Sequence, residues 1–120
     1  MSRDYRKLRA FRLADELVLQ VYGATANFPM AERYGLQAQL RRAAVSVATN
    51  IVEGSARRTT DEYLNFLNIA AASAAEARYL VDLSQRLGFV TPEDADRLNP
   101  RYTEVVGSLV AAIQTLSPKP

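Results

Sequence analysis

The residues best suited to chemistry in this chain are arginines. Arg41 and Arg42 are adjacent in a long helical pattern, and Arg57 and Arg58 fall in the turn that follows it. Arg3, Arg6, Lys7, Arg9 and Arg12 crowd the N-terminal end. Thirteen of the fifteen Lys and Arg residues are Arg, whose planar fork of donors meets phosphate or carboxylate oxygens two at a time. Residues 1–58 carry ten basic and five acidic groups, whereas residues 59–120 carry five and eight. The small net charge of +2 therefore hides a basic half and an acidic half. Such asymmetry suits a polyanion-binding face, or association between unlike surfaces. Arg41, Arg42, Arg57 and Arg58 are the candidate nucleic-acid contacts, for RNA or for DNA. The plainer reading is a solvated face with surface ion pairs, each contributing little. Arg41 and Arg42 sit about 100° apart on a helix, so both cannot face one partner. Tyr5 and Tyr34 could stack on bases; Tyr63 fits packing better.

A second constellation closes the second helical pattern. Asn50 and Glu53-Gly54 place polar groups at the negative end of a helix, where a carboxylate is unfavourable. Glu53 therefore needs Arg57, Arg58, or the opening N–H groups of the next helix. The result is either a ligand site or a clasp joining two helices. The chain has no His and no Cys, which excludes zinc fingers, iron–sulfur clusters, Cys nucleophiles and Ser-His-Asp triads. A di-metal carboxylate centre in a bundle needs Glu-x-x-His pairs, so it fails too. There is no Gly-rich phosphate loop. No catalytic residue, metal or cofactor is expected, and the protein reads as a non-enzyme.

Four helices position these groups, and no credible sheet does. The first spans about Lys7 to Asn27, with Phe11, Ala14, Leu17, Val18, Val21, Tyr22 and Thr25 on one stripe, and stops at Phe28-Pro29. The second starts at Glu32 or Leu36 and ends at Gly54, read as the left-handed closing residue. Its stretch VSVATNIV has strand-like β-branched content, but strong helix formers flank it without a breaker. The third opens with the capping box Thr59-x-x-Glu62 and stops at Gly88, a rod of about 42 Å. The fourth opens at Thr91-Pro92-Glu93-Asp94; Pro100 inside it predicts a kink or a break. Short connections make sequential helices antiparallel. The expected fold is all-α, an antiparallel up-down-up-down four-helix bundle forming one domain over residues 1–120. Frayed ends are expected at about 1–6 and 117–120. At this length about two thirds of the unfolded chain's surface is buried.

The second helix has more than one apolar stripe. Leu36, Leu40, Ala43, Val47 and Ile51 form one; Ala44, Val45, Ala48 and Val52 form another. A helix apolar on most sides is buried on most sides. Ala44, Val45, Ala48 and Val52 are therefore the candidate subunit interface of a homo-oligomer, unless a loop or the N-terminal segment covers them. No apolar run reaches membrane-span length, and the charged first dozen residues lack the apolar run of a signal peptide. No membrane partner is expected, and the compartment expected is the cytoplasm.

The stretch from Phe28 to Glu76 resembles a bacterial family of four-helix bundles encoded in intervening sequences of 23S ribosomal RNA genes. The resemblance rests on Phe28-Pro29, Tyr34-Gly35-Leu36, Gln39-Leu40-Arg41-Arg42-Ala43-Ala44-Val45-Ser46, Asn50, Glu53-Gly54, Arg57, Glu62-Tyr63 and Phe66-Leu67. In layout it extends over residues 8–116. Gln39, Asn50, Glu53, Gly54 and Glu62 are then structural motif positions. The resemblance implies a homopentamer. The chain is also similar to the accessory proteins of diversity-generating retroelements, basic pentameric barrels that bind nucleic acid and a reverse transcriptase. That similarity implies a nucleic acid or a nucleic-acid enzyme as partner. The alternative is a protein–protein scaffold that binds no nucleic acid.

Overall fold

The computed structural model describes residues 3–118. Four α-helices follow one another: α1 (Arg9–Thr25), α2 (Leu36–Ser55), α3 (Thr60–Arg86) and α4 (Pro92–Leu116). Short 3-10 turns at Tyr5–Lys7 and Met30–Glu32 precede α1 and α2. Among the described residues there is no strand. Each helix packs on its two neighbours, with α1 closing the ring against α4. The bundle measures 46 × 23 × 21 Å.

The helix ends follow local chemistry. The Thr59 hydroxyl accepts from Glu62 N–H at 3.1 Å and donates to the Glu62 carboxylate at 3.0 Å, so the N-cap half of the capping box forms, while Glu62 returns to the Thr59 hydroxyl and not to its backbone N–H. Thr91 caps α4 in the same way through Asp94 N–H at 3.1 Å. Gly88 takes φ +81°, which a side chain would strain, and Phe89 N–H returns to the Ser84 carbonyl at 2.8 Å to end α3. The α2 start carries a cap that sequence reading passed over: the Glu32 carboxylate accepts from Leu36 N–H at 3.1 Å.

Five expectations change. First, α1 ends at Thr25, two residues early, because Phe28 must turn inward against Phe89, with ring centroids 5.6 Å apart. Second, Gly54 does not close α2 in a left-handed conformation. It lies within the helix, and a Cβ there would come within 2.7 Å of Phe66 Cβ. Its glycine is required by the approach of α3.

Third, of the kink or break expected at Pro100 the break does not occur: α4 runs unbroken through it. Proline removes one ladder bond, and Pro100 lies on the exposed side, where water can take the freed carbonyl. Leu98 and Tyr102 on either side stay fully buried and hold the rod to the core. Fourth, residues 3–6 are tied down rather than frayed. Arg3 N–H donates to the Ser55 carbonyl at 2.9 Å, and Tyr5 packs edge-on against Phe11 at 4.7 Å. The remaining residues of the expected frayed N-terminus, 1–2, and residues 119–120 of the C-terminal one, lie outside the described part.

Fifth, the second stripe of α2 meets its own chain. Ala44 and Ala48 are 1% and 9% exposed, so neither is available to another subunit. They continue, at helical spacing, the line of Gln37 and Arg41, which bonds to α1. A helix in a four-membered ring has two neighbours and needs two stripes. Of the four expected interface residues only Val45 and Val52 remain partly exposed.

Candidate nucleic-acid interface

The outer surface of α2 carries an open groove of about 1040 Å³. α2 contributes Ala38, Gln39, Arg42, Val45 and Thr49; α1 adds Tyr22, the turn before α2 adds Arg33 and Tyr34, and α3 adds Ser73 and Glu76. Arg41 lines it as well. Glu76 is the one carboxylate on this lining among the described residues.

Arg41 and Arg42 play different parts, as their angular separation requires. Arg41 Nε donates to the Thr25 hydroxyl at 2.8 Å, and one of its terminal amino groups donates to the Tyr22 carbonyl at 3.3 Å. Its guanidinium also lies 4.4 Å from the Tyr22 ring centroid. Gln37 Nε2 donates to the Thr25 carbonyl at 2.8 Å. These contacts cover the carbonyl end of α1, where positive charge is favourable. Arg42, one residue on, is exposed and has no hydrogen bond or ion pair among the described residues. Arg33 lies 5.7 Å from the Tyr34 ring centroid and is otherwise free among the described residues.

Arg57 and Arg58 do not join this groove. They sit in the turn after α2, sixteen residues from Arg41-Arg42, which is about 24 Å along a helix axis. Arg57 stacks 4.7 Å over Phe66, and Arg58 is exposed. The N-terminal basic run is largely occupied. Arg3 lies 4.2 Å over the Tyr63 ring, Arg6 pairs with Asp4 at 3.1 Å, Arg9 pairs with Glu104, and Arg12 donates to the Arg6 and Lys7 carbonyls. The Arg6 hydrogen bond holds the Asp4 carboxyl below the usual range. Burial pushes the Tyr63 hydroxyl upward, with Arg3 opposing it.

The Asn50–Gly54 constellation resolves as a clasp, but not through Glu53. Glu53 is exposed and makes no ion pair among the described residues. Asn50 Nδ2 donates to the Ser46 carbonyl at 2.8 Å and to the Ser46 hydroxyl at 3.0 Å; that hydroxyl lies 2.8 Å from Ser73 of α3. Gly54 meets Phe66 and Tyr63 directly. Gln39 stays on the exposed groove lining and Glu62 stays in its cap. Of the three tyrosines considered for stacking, Tyr63 is buried and Tyr5 packs on Phe11, while Tyr34 is open at 85% exposure. Sequence reading placed Tyr22 with the core, but it is 44% exposed. Its position at the edge of the apolar stripe of α1 is the signal that could have revealed it.

Fold and site together define an antiparallel four-helix bundle with a basic and aromatic groove on α2. The chain matches the model of the 23S rRNA-intervening sequence protein family over residues 6–111, and it belongs to that family. A crystal structure of a protein of unknown function from the S23 ribosomal protein family, from Bacteroides thetaiotaomicron VPI-5482, shares the fold. The two superpose with a TM-score of 0.78 at 24% identity, over 88% of this chain and 95% of that one. No curated protein matches the chain. No helix among the described residues is long and apolar enough to cross a membrane.

Proposed function

We propose that this protein is a non-enzymatic, cytosolic helical bundle that binds nucleic acid through the groove on α2. The observation that carries the reading is the pairing pattern of the arginines. Arg33 and Arg42 face the groove with no carboxylate partner among the described residues, and Glu76 alone offsets them on the lining. Phosphate is the ligand that suits such a surface, and neutralising it releases counterions. Arg58 and Arg57, at the far end of α2, are a second contact on a strand long enough to span the helix.

Self-association, with five copies as the proposed stoichiometry, accompanies this reading. Val52 on α2 and the exposed Ile69 and Tyr79 on α3 are the apolar groups it would cover. A scaffold without nucleic acid is the competing reading, favoured by the same residues.

Two measurements test the proposal. Light scattering should give a mass about five times 13.3 kDa; a folded monomer at 13.3 kDa removes the oligomer. Anisotropy of a labelled generic RNA and DNA should show binding at about 50 mM salt that weakens roughly 20- to 150-fold by about 200 mM, the range that three or four phosphate contacts give on single strands and duplexes. No binding at the lower salt removes the nucleic-acid role and leaves the scaffold.

A further inference from the structure

We infer that the groove selects unpaired nucleotides, with Tyr34 as the principal stacking platform and Tyr22 as a second. The inference rests on the nucleic-acid reading above and sharpens its ligand class. A surface that only neutralised phosphates would need arginines and no open rings. This one presents two tyrosines beside its arginines, and their exposure is unlike that of Tyr5, Tyr63 and Tyr102, which pack against the fold.

Tyr34 is 85% exposed at the end of the turn that precedes α2, where no packing role accounts for it. The Arg33 guanidinium stands 5.7 Å from its ring centroid, so one side of the ring faces a cation and the ring remains open to a base. Tyr22 is held by Arg41, whose guanidinium lies 4.4 Å from the ring while its donors are fixed on Thr25 and the Tyr22 carbonyl. Arg41 is thus a positioning residue for Tyr22. Rings of this kind meet the faces of bases, which a duplex hides within its own stack and a single strand exposes. Arg42 and Arg33 then track the phosphates between stacked bases. On the same lining Gln37 donates to the Thr25 carbonyl and the Thr49 hydroxyl to the Val45 carbonyl, each at 2.8 Å, so their donors are not free to read one base edge, and the preference is for single strands and not for a sequence.

The test compares four labelled ligands of equal length on the full chain at low salt: a single-stranded RNA, a single-stranded DNA, a DNA duplex and an abasic phosphodiester strand. Both base-bearing single strands should bind at least about tenfold tighter than the abasic strand and the duplex. Tyr34→Ala should lower single-strand affinity roughly 5- to 100-fold, the range of one lost stacking contact, and Tyr34→Phe should restore it. Tyr34 is exposed, so the variant keeps its fold, and far-UV circular dichroism verifies this. Equal binding of abasic and base-bearing strands overturns the inference while leaving phosphate binding intact. So does a Tyr34→Ala variant that binds normally, or one whose only change is a lower mass in solution, which would place Tyr34 between copies. Absence of binding to all four ligands overturns the underlying nucleic-acid reading as well.

Discussion

The two long sides of the bundle use arginine in opposite ways. Along α1 and α4, Arg9 reaches Glu104, Arg101 reaches Glu16 at 3.1 Å, and Arg97 reaches Asp94 at 2.8 Å. Around α2, Arg33, Arg41 and Arg57 lie over Tyr34, Tyr22 and Phe66, and none of them pairs with a carboxylate among the described residues. Arg42 and Arg58 have no partner of either kind among the described residues. On the first side Arg9, Arg97 and Arg101 are neutralised by carboxylates of the same chain, two of the three pairs joining α1 to α4 and the third lying within α4. On the second side a ring supports the guanidinium without neutralising it, so its field still reaches solvent. Net charge of +2 says little about such a molecule, because what matters is where acids are absent.

Substitutions can break this comparison, and the largest effect lies on the α2 side. Gly54→Leu places a side chain where even a Cβ would meet Phe66 at 2.7 Å and Tyr63 at 3.3 Å. We expect a loss of about 3 kcal/mol in urea unfolding, the upper range for overpacking. A neutral result would mean that α2 and α3 are not in close contact there.

Next comes Arg41→Ala. It leaves the buried Thr25 hydroxyl and the end of α1 without a charged donor, so stability should fall by about 2 kcal/mol. Arg41→Lys should recover less than half of that, because Lys cannot reproduce the fork and the stacking together. On the opposite side, Arg101→Ala should change stability by less than about 0.5 kcal/mol, since its Glu16 pair is exposed. Equal losses for the two variants would erase the distinction between the sides.

A smaller effect belongs to the core between them. The Tyr102 hydroxyl is fully buried without a hydrogen-bond partner in the protein, and burial raises its pKa. Tyr102→Phe should therefore gain about 1 kcal/mol at neutral pH. The folded pKa of Tyr102 and of Tyr63 lies above the unfolded value near 10, so the stability of the fold is unaffected by their titration, and at its full value, below about pH 10. It falls as pH climbs toward the folded values, because only the unfolded chain then releases the proton easily. Wild-type protein should lose stability above about pH 10, and Tyr102→Phe should lose less. Parallel alkaline limbs for the two proteins would contradict this.

How much of this was legible in the sequence follows from the range of each signal. Thr59 with Glu62, Gly88, and Thr91 with Pro92 read correctly because each rule acts over three or four residues of one chain. Gly54 was recognised as special for the wrong reason, since its requirement comes from Phe66 on another helix. Ala44 and Ala48 were given to a second subunit because periodicity reports an angle around a helix, not which neighbour fills it. The arginines were found by type, but their division into paired, stacked and free depends on acids and rings distant in sequence. Arg41 and Arg42 show this most sharply: one residue apart, they go to the end of α1 and to open solvent.

The central claim is that Arg33 and Arg42, on the α2 groove, meet phosphate and the arginines along α1 and α4 do not. Its most direct test is the slope of log affinity against log salt for a labelled RNA, measured on Arg33→Ala/Arg42→Ala and on Arg9→Ala/Arg101→Ala. The first pair should flatten the slope by about 2, one for each lost phosphate contact, and the second should leave it as in the wild type. A flattened slope for the second pair, or an unchanged slope for the first, would contradict the account.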